Sequence, residues 1–393
     1  MRRTGTIHTG LRRLAWTAAA VMAAATFQAA GTGTAVAAAA RPGDIVSAEP
    51  SAFRVLPGMD TATRAWKIHY RSTDANGAAD VVSGTVIVPE DGRTGARPLL
   101  TYAIGTVGMG DQCAPSATLP EGGSAEAGTI AQALQHGWAV AVTDYPGLGT
   151  PGDHTYLVGR SEGTAVLDAA RAAQRLPDAQ AAGVTAASPV AIMGYSQGGQ
   201  ASAWAAELAG SYAPELDVMG TASGGVPADL VADGPSGSGD GALALMAAIG
   251  HDAAYPELDL EKYLNEEGRA LAEKVRDGCV LDIVLASQGK SLDDLTEQNL
   301  LEVPAWRARL EADKLGDRAP GRPVFLYQGT ADNIVSYDVA AQLRADWCAR
   351  GATVQWEPVL LGDHITTALL GARPAIDWLG RRIDGQASQG NCG

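Results

Sequence analysis

Apolar and polar positions alternate over residues 64–71 and again over 79–88, and the two runs flank the turn-forming Asp74, Ala75, Asn76 and Gly77. Period-two alternation around such a turn predicts an antiparallel strand pair. Beyond it the pattern changes. Short continuous apolar runs at 98–103, 138–143, 190–194 and 218–222 read as strands buried on both faces, with helical patterns at 125–135 and 162–175 between them. Strands alternating with helices predict the α/β class, a mostly parallel sheet flanked by helices. The rhythm resumes with a strand at 323–328, a helix at 339–350, a strand at 354–361 and a closing helix at 374–383.

One interruption stands out. From 225 to 323 no strand pattern is visible, but amphipathic helical patterns are, the best at 257–276 and 292–301. This stretch also carries the glycine- and serine-rich run 234–241, which predicts a flexible link. A strand-to-strand crossover needs far fewer residues, so the expectation is a core of residues 41–225 and 319–393 with a helical insertion at 226–318.

The run 190–194 breaks into Tyr195, Ser196, Gln197, Gly198 and Gly199 and continues as an alanine-rich helical stretch. A strand, a sharp turn and a helix in that order predict a nucleophile elbow, where only small residues fit two positions before and after the serine; Gly194 and Gly198 occupy them. With 48 glycines in 393 residues the motif also arises by chance, and a second match spans Gly159 to Gly163 around Ser161. Ser161 opens a helical pattern without a clean strand before it, so its simplest role is an N-cap.

A serine hydroxyl needs a base to take its proton and a carboxylate to orient that base. Of six histidines, His8 lies in the leader described below, His69 in the first strand pair, and His136 beside Gly137 at a helix end; His154 and His251 lie in loop-like or inserted segments. His364 follows the last strand, where the order serine, acid, histidine puts the base. Asp332 follows the preceding strand and is the expected acid; Asp338 reads as the N-cap of the next helix, and Asp363 is too close to His364 to orient it. The backbone N–H of Gln197 is one expected oxyanion donor, and the glycine-rich loop 105–115 should supply the other, from Asp111 or Gln112. An ionised Asp111 carboxylate would repel the oxyanion, so Asp111 would act through its N–H or as a protonated acid.

Residues 1–40 read as a cleaved export signal: Arg2, Arg3, Arg12 and Arg13 precede an apolar run from Leu14 that ends in small residues near Ala40. No later segment is apolar enough to span a bilayer. Losing those four arginines and no acid takes the formal charge from −15 to −19, which argues against nucleic acid or an anionic membrane as partner and keeps an exported protein soluble. Cys113, Cys279, Cys348 and Cys392 fit no zinc spacing; in an exported chain they predict two disulfides, with three pairings open.

The sequence resembles the secretory lipase family, the lipase-A-like α/β-hydrolases of fungi and actinobacteria. The resemblance rests on residues 194–199, on 111–116 from Asp111 to Ser116, on 143–149, on 211–216 with Gly224 and Gly225, and on Gly362, Asp363, His364 and Ile365. It implies an α/β-hydrolase fold, Ser196, Asp332 and His364 as the catalytic triad, and an oxyanion aspartate matched by Asp111, although Gln112 here separates the acid from the cysteine. It further implies disulfides Cys113–Cys279 and Cys348–Cys392 and a helical lid within the insertion. The expected function is that of a secreted, extracellular, monomeric serine ester hydrolase, a lipase or esterase on acylglycerols, reaching its ester or lipid substrate at an oil–water interface. No cofactor or metal is expected. The alternatives are a short-chain or specialised esterase or acyltransferase, an exopeptidase of the same fold, and a non-enzymatic surface protein.

Overall fold

The computed structural model describes residues 40–93, 95–233 and 241–393. The export-signal reading of residues 1–40 therefore falls outside the described residues except at Ala40, and the predicted link at 234–241 except at Gly241.

Among the described residues, nine strands form one sheet. In chain order they are β1 (Ile45–Ser51), β2 (Thr63–Thr73), β3 (Ala79–Pro89), β4 (Leu99–Ala103), β5 (Ala139–Thr143), β6 (Val190–Tyr195), β7 (Val218–Gly224), β8 (Val324–Gly329) and β9 (Val354–Val359). Their spatial order is β1-β2-β3-β5-β4-β6-β7-β8-β9. The first three strands and the β3–β5 pair are antiparallel, and every pairing from β5 to β9 is parallel. Every residue of β4, β5, β6 and β8 is buried, as expected of strands covered on both faces. The unpredicted β1 is a mostly exposed edge strand whose composition carries no apolar alternation; backbone pairing to β2 defines it.

Helices α1 (Ala127–Gln135), α2 (Gly159–Arg175) and α3 (Gln197–Tyr212) join the central strands. α2 packs on α3 closely enough that a Cβ on Gly159 would lie 2.0 Å from the Trp204 indole nitrogen. Ser161 is not an N-cap: α2 begins two residues earlier, and Ser161 is buried in its first turn beside the Thr155 hydroxyl.

Between β7 and β8 the described chain forms α4 (Gly241–Ala254), α5 (Glu266–Arg276), α6 (Val280–Ala286) and α7 (Pro304–Ala312), with shorter helical turns. The apolar faces of these helices make a second core, around Leu245, Ile249, Leu271, Leu295 and Trp306, that meets the sheet domain's segment Tyr156–Val158. The helix predicted at 257–276 is shorter than expected, because Asp259 turns left-handed (φ 49°) and Asn265 caps α5 by accepting from the Gly268 N–H. The helix predicted at 292–301 is split: one capped turn, Leu292–Leu295, is followed by extended Thr296.

After β8 comes α8 (Tyr337–Ala349), capped by Ser336 rather than by Asp338, whose N–H the Ser336 hydroxyl accepts. After β9, α9 (His364–Ile383) starts ten residues before the predicted closing helix and runs through Pro374. Burial of Ala372, Ala375, Ile376 and Leu379 on this helix offsets the hydrogen bond that proline removes. Disulfides join Cys113 to Cys279, between the loop after β4 and the insertion, and Cys348 to Cys392, which ties down the C-terminus.

Candidate active site

The parallel strands end side by side. Ala103 pairs with Gly194, Gly194 with Ser223, and Gly224 with Tyr327. The loops leaving β4, β6, β8 and β9 therefore meet at one edge, where open α/β sheets bind ligands.

Ser196 sits between β6 and α3 with φ 58° and ψ −122°, a conformation a side chain adopts only under strain. The elbow's glycines are obligatory. A Cβ on Gly194 would stand 2.0 Å from the Gly198 carbonyl oxygen, and one on Gly198 would stand 2.0 Å from that of Ala103. Ser196 stays partly accessible while its neighbours from Met193 to Gln200 are buried.

His364 is the first residue of α9. Its Nε2 lies 2.9 Å from the Ser196 Oγ and its Nδ1 2.8 Å from one Asp332 oxygen. Asp363 caps α9 by accepting from the Thr366 N–H and makes no contact with the His364 ring nitrogens. The Asp332 carboxylate is fully shielded and also accepts from the N–H groups of Ile334 and Val335 and from the Gln328 carboxamide. With the carboxylate on Nδ1, the proton sits there and Nε2 is left to accept from the serine hydroxyl. Tyr195 donates its hydroxyl to the His364 carbonyl at 2.6 Å; burial first, then the Asp332 charge, hold this phenol far above its ordinary range, so it remains a donor.

Gln197 is the first residue of α3, where a backbone N–H has no partner within its helix. One Asp111 oxygen accepts from the Gly149 N–H, the Gln112 carboxamide donates to the Asp277 carbonyl, and neither residue lines the cleft at Ser196. This loop is anchored to the helical stretch between β7 and β8 by the Cys113–Cys279 disulfide and by pairing of Gly108 with Cys279. The segment that abuts the elbow is the exit of β4: Ala103 and Ile104 lie against Gly198, and Gly105 lies against Tyr195.

Above Ser196 and Gln197 opens a cleft of about 950 Å³, its mouth included. Its walls are mostly apolar, from Leu243 and Ala247 of α4, Leu300, Trp306 and Leu310 nearby, Tyr156 and Leu157, and Ile334 and Val335 beside the Asp332 carboxylate, with Asp293 and Asn299 as polar members. Sequence reading missed Tyr156 and Leu157 as wall residues, since their segment carries no strand or helix period. Among the described residues, no group of three or more His, Cys, Asp or Glu side chains is arranged to hold a metal, and no helix is long and apolar enough to cross a membrane.

The family model for secretory lipases matches residues 121–391. The chain is 32% identical over 354 residues, 84% of its length and 76% of the relative's, to a protein of Mycobacterium tuberculosis named probable inactive lipase MT1628. It is 28% identical over 376 residues, 89% of its length and 74% of the relative's, to the secreted triacylglycerol lipase LIP1 of Malassezia furfur. Candida antarctica lipase A in its closed state superposes with a TM-score of 0.77 at 24% identity, covering 90% of this chain and 84% of that one. The rice cell wall degrading esterase LipA of Xanthomonas oryzae gives 0.73 at 20%, covering 88% of this chain and all of that one. These two likenesses identify the fold as that of the α/β-hydrolases. The family match, over residues that include the elbow, Asp332 and His364, places the chain in the secretory lipase family, a family of lipase-type hydrolases.

Proposed function

We propose that the chain is a secreted serine ester hydrolase that acts on acylglycerols through an acyl-enzyme on Ser196. One observation carries the reading: a continuous hydrogen-bonded series from the Ser196 hydroxyl through His364 to Asp332, at the foot of an apolar cleft. Ser196 attacks the ester carbonyl as His364 takes its proton, and the Gln197 N–H faces the oxyanion. His364 then protonates the departing alcohol. Water, deprotonated by the same imidazole, releases the acid. The described helices of the insertion act as the lid, since α4 supplies part of the cleft wall. The intact series supports activity even though one relative bears the name of an inactive lipase.

An apolar rim favours lipid aggregates over small soluble esters. Leu360, Leu361, Ile365, Leu369 and Leu370, 60–81% exposed, cluster on the His364 loop and the first turns of α9. The formal charge of −19 left after loss of residues 1–40 disfavours an anionic membrane or a second copy against that rim, leaving the uncharged surface of an acylglycerol droplet. Export with loss of residues 1–40 completes the reading. In the test, wild type cleaves p-nitrophenyl esters and emulsified triacylglycerol and is labelled on Ser196 by a fluorophosphonate, and Ser196→Ala loses all three. Turnover retained by Ser196→Ala overturns the assignment, and a supernatant protein whose N-terminus lies before residue 30 overturns the export site.

A further inference from the structure

The second G-x-S-x-G match has no part in the hydrolytic series, yet it carries a side chain that reaches the elbow from behind. Glu162 is fully buried in the first turn of α2. Its Oε1 accepts from the Gln197 Nε2 at 2.7 Å and from the Leu157 N–H at 3.0 Å, while Oε2 has no hydrogen-bond partner among the described residues. The Gln197 Nε2 also lies 2.8 Å from Nε2 of the buried His154, whose Nδ1 faces the Pro146 carbonyl at 3.0 Å.

One proton arrangement satisfies these contacts. The Pro146 carbonyl requires the His154 proton on Nδ1, so Nε2 accepts from Gln197; the second Gln197 amide proton then goes to Glu162. A flipped Gln197 would need a doubly protonated imidazole in a dry site. Burial opposes that charge and holds His154 down to about 4; burial likewise pushes the Glu162 carboxyl well above its usual range.

The groups so held are strained. Leu157, in the cleft wall, has φ 57°; Tyr145, stacked on His154, has φ 70°; Ser196, next to Gln197, has φ 58°. Conformations of this kind persist only where the surroundings over-determine them.

We propose that Glu162 is a positioning residue for ester hydrolysis: one of its oxygens holds both the side chain of Gln197 beside the nucleophile and the strained Leu157 in the substrate wall. The inference rests on the reading of Ser196 as nucleophile and of the Gln197 N–H as oxyanion donor. A carboxamide can replace the acid, its carbonyl accepting from the same two N–H groups. A hydrocarbon cannot; it leaves Gln197 and Leu157 with unpaired buried donors and the elbow free to turn.

The experiment compares Glu162→Gln, Glu162→Leu and Gln197→Met in the full chain, using a short p-nitrophenyl ester and phenylboronic acid. The inhibitor's boron bonds to the Ser196 Oγ as the serine proton passes to His364, giving a tetrahedral anion where the oxyanion would stand. Glu162→Leu is expected to lower kcat about ten- to a hundredfold with KM within about threefold, and to raise the boronate Ki by a matching factor. Glu162→Gln should restore kcat and Ki to within about threefold of wild type. Gln197→Met keeps the N–H but loses the carboxamide, and should repeat the leucine effect even if Glu162→Leu does not fold. Unchanged kcat and Ki in Glu162→Leu or Gln197→Met overturn the inference, as does a glutamine variant as impaired as the leucine one. Ester turnover that survives Ser196→Ala sinks the functional reading instead; turnover lost there but intact in Glu162→Leu sinks only this inference.

Discussion

The chain contains the pattern G-x-S-x-G twice, at Gly159–Gly163 and at Gly194–Gly198, and the fold treats the two in opposite ways. At the second, a strand runs into a helix through one left-handed serine, so the hydroxyl stands at the end of the sheet, 2.9 Å from an imidazole. At the first, the serine lies inside a helix already under way, fully buried, with a threonine hydroxyl as neighbour. The same five letters yield a nucleophile's geometry only where the backbone reverses. The glycines differ too: those of the elbow admit neighbouring carbonyl oxygens, whereas Gly159 admits the Trp204 indole and Gly163 the Trp204 Cβ with the Trp204–Ala205 backbone.

That contrast breaks most sharply at the hydroxyls themselves. Ser196→Ala should lower kcat at least about 10⁴-fold, with Asp332→Asn close behind, whereas Ser161→Ala should leave kcat within about twofold. Initial rates on one soluble ester decide it; a Ser161→Ala enzyme as dead as Ser196→Ala would reverse the assignment of the two motifs.

The glycines give the next effect. Gly198→Ala meets a backbone oxygen at 2.0 Å, which cannot give way, so the variant should lose more than about 3 kcal/mol or fail to fold. Gly163→Ala meets the Trp204 Cβ at 2.8 Å and should lose about 1–3 kcal/mol. Urea midpoints compare them, and an elbow variant as stable as wild type would show that the turn tolerates a side chain.

The smallest effect concerns the link between the motifs. His154 titrates at about 4 when folded and near 6.5 when unfolded, so below about 6.5 the unfolded chain binds a proton that the native one refuses. Its contribution is present at pH 7 and is lost as pH falls from about 6.5 to 4, a loss of up to about 3 kcal/mol. Glu162 acts with the opposite sign. Its raised folded value makes its contribution greatest near and below pH 4.5, and it fades as pH rises. The groups facing this pair are Gln197, the Tyr145 and Tyr156 rings and, at longer range, the Asp313 carboxylate. His154→Gln should therefore flatten the acid side of a plot of melting temperature against pH; an unaltered acid limb would mean that His154 charges freely in the fold.

Much of the sheet was legible in advance, because a strand buried on both faces is mostly apolar and the runs behind β4 to β8 are. The insertion was legible only as an absence of strands. Its helix boundaries depend on caps such as Asn265 and Ser291, and these act once their partners are in place. Asp111 illustrates the other limit. A cysteine two residues away made its loop conspicuous, but the disulfide draws that loop to the insertion, and the backbone against the elbow is the exit of β4.

Local rules suffice where a residue's role follows from its immediate neighbours. The turn at Ser196, the two glycines it demands, and the sequential placing of Asp332 and His364 after successive strands are of that kind. Tertiary structure alone decided what meets across the chain: that a glutamate 35 residues before Gln197 reaches its carboxamide, that burial pushes that carboxyl above its usual range, and that Pro374 is carried within a helix. The reason is that solvent exclusion and hydrogen-bond partnership are properties of an assembled surrounding, which a linear pattern does not contain.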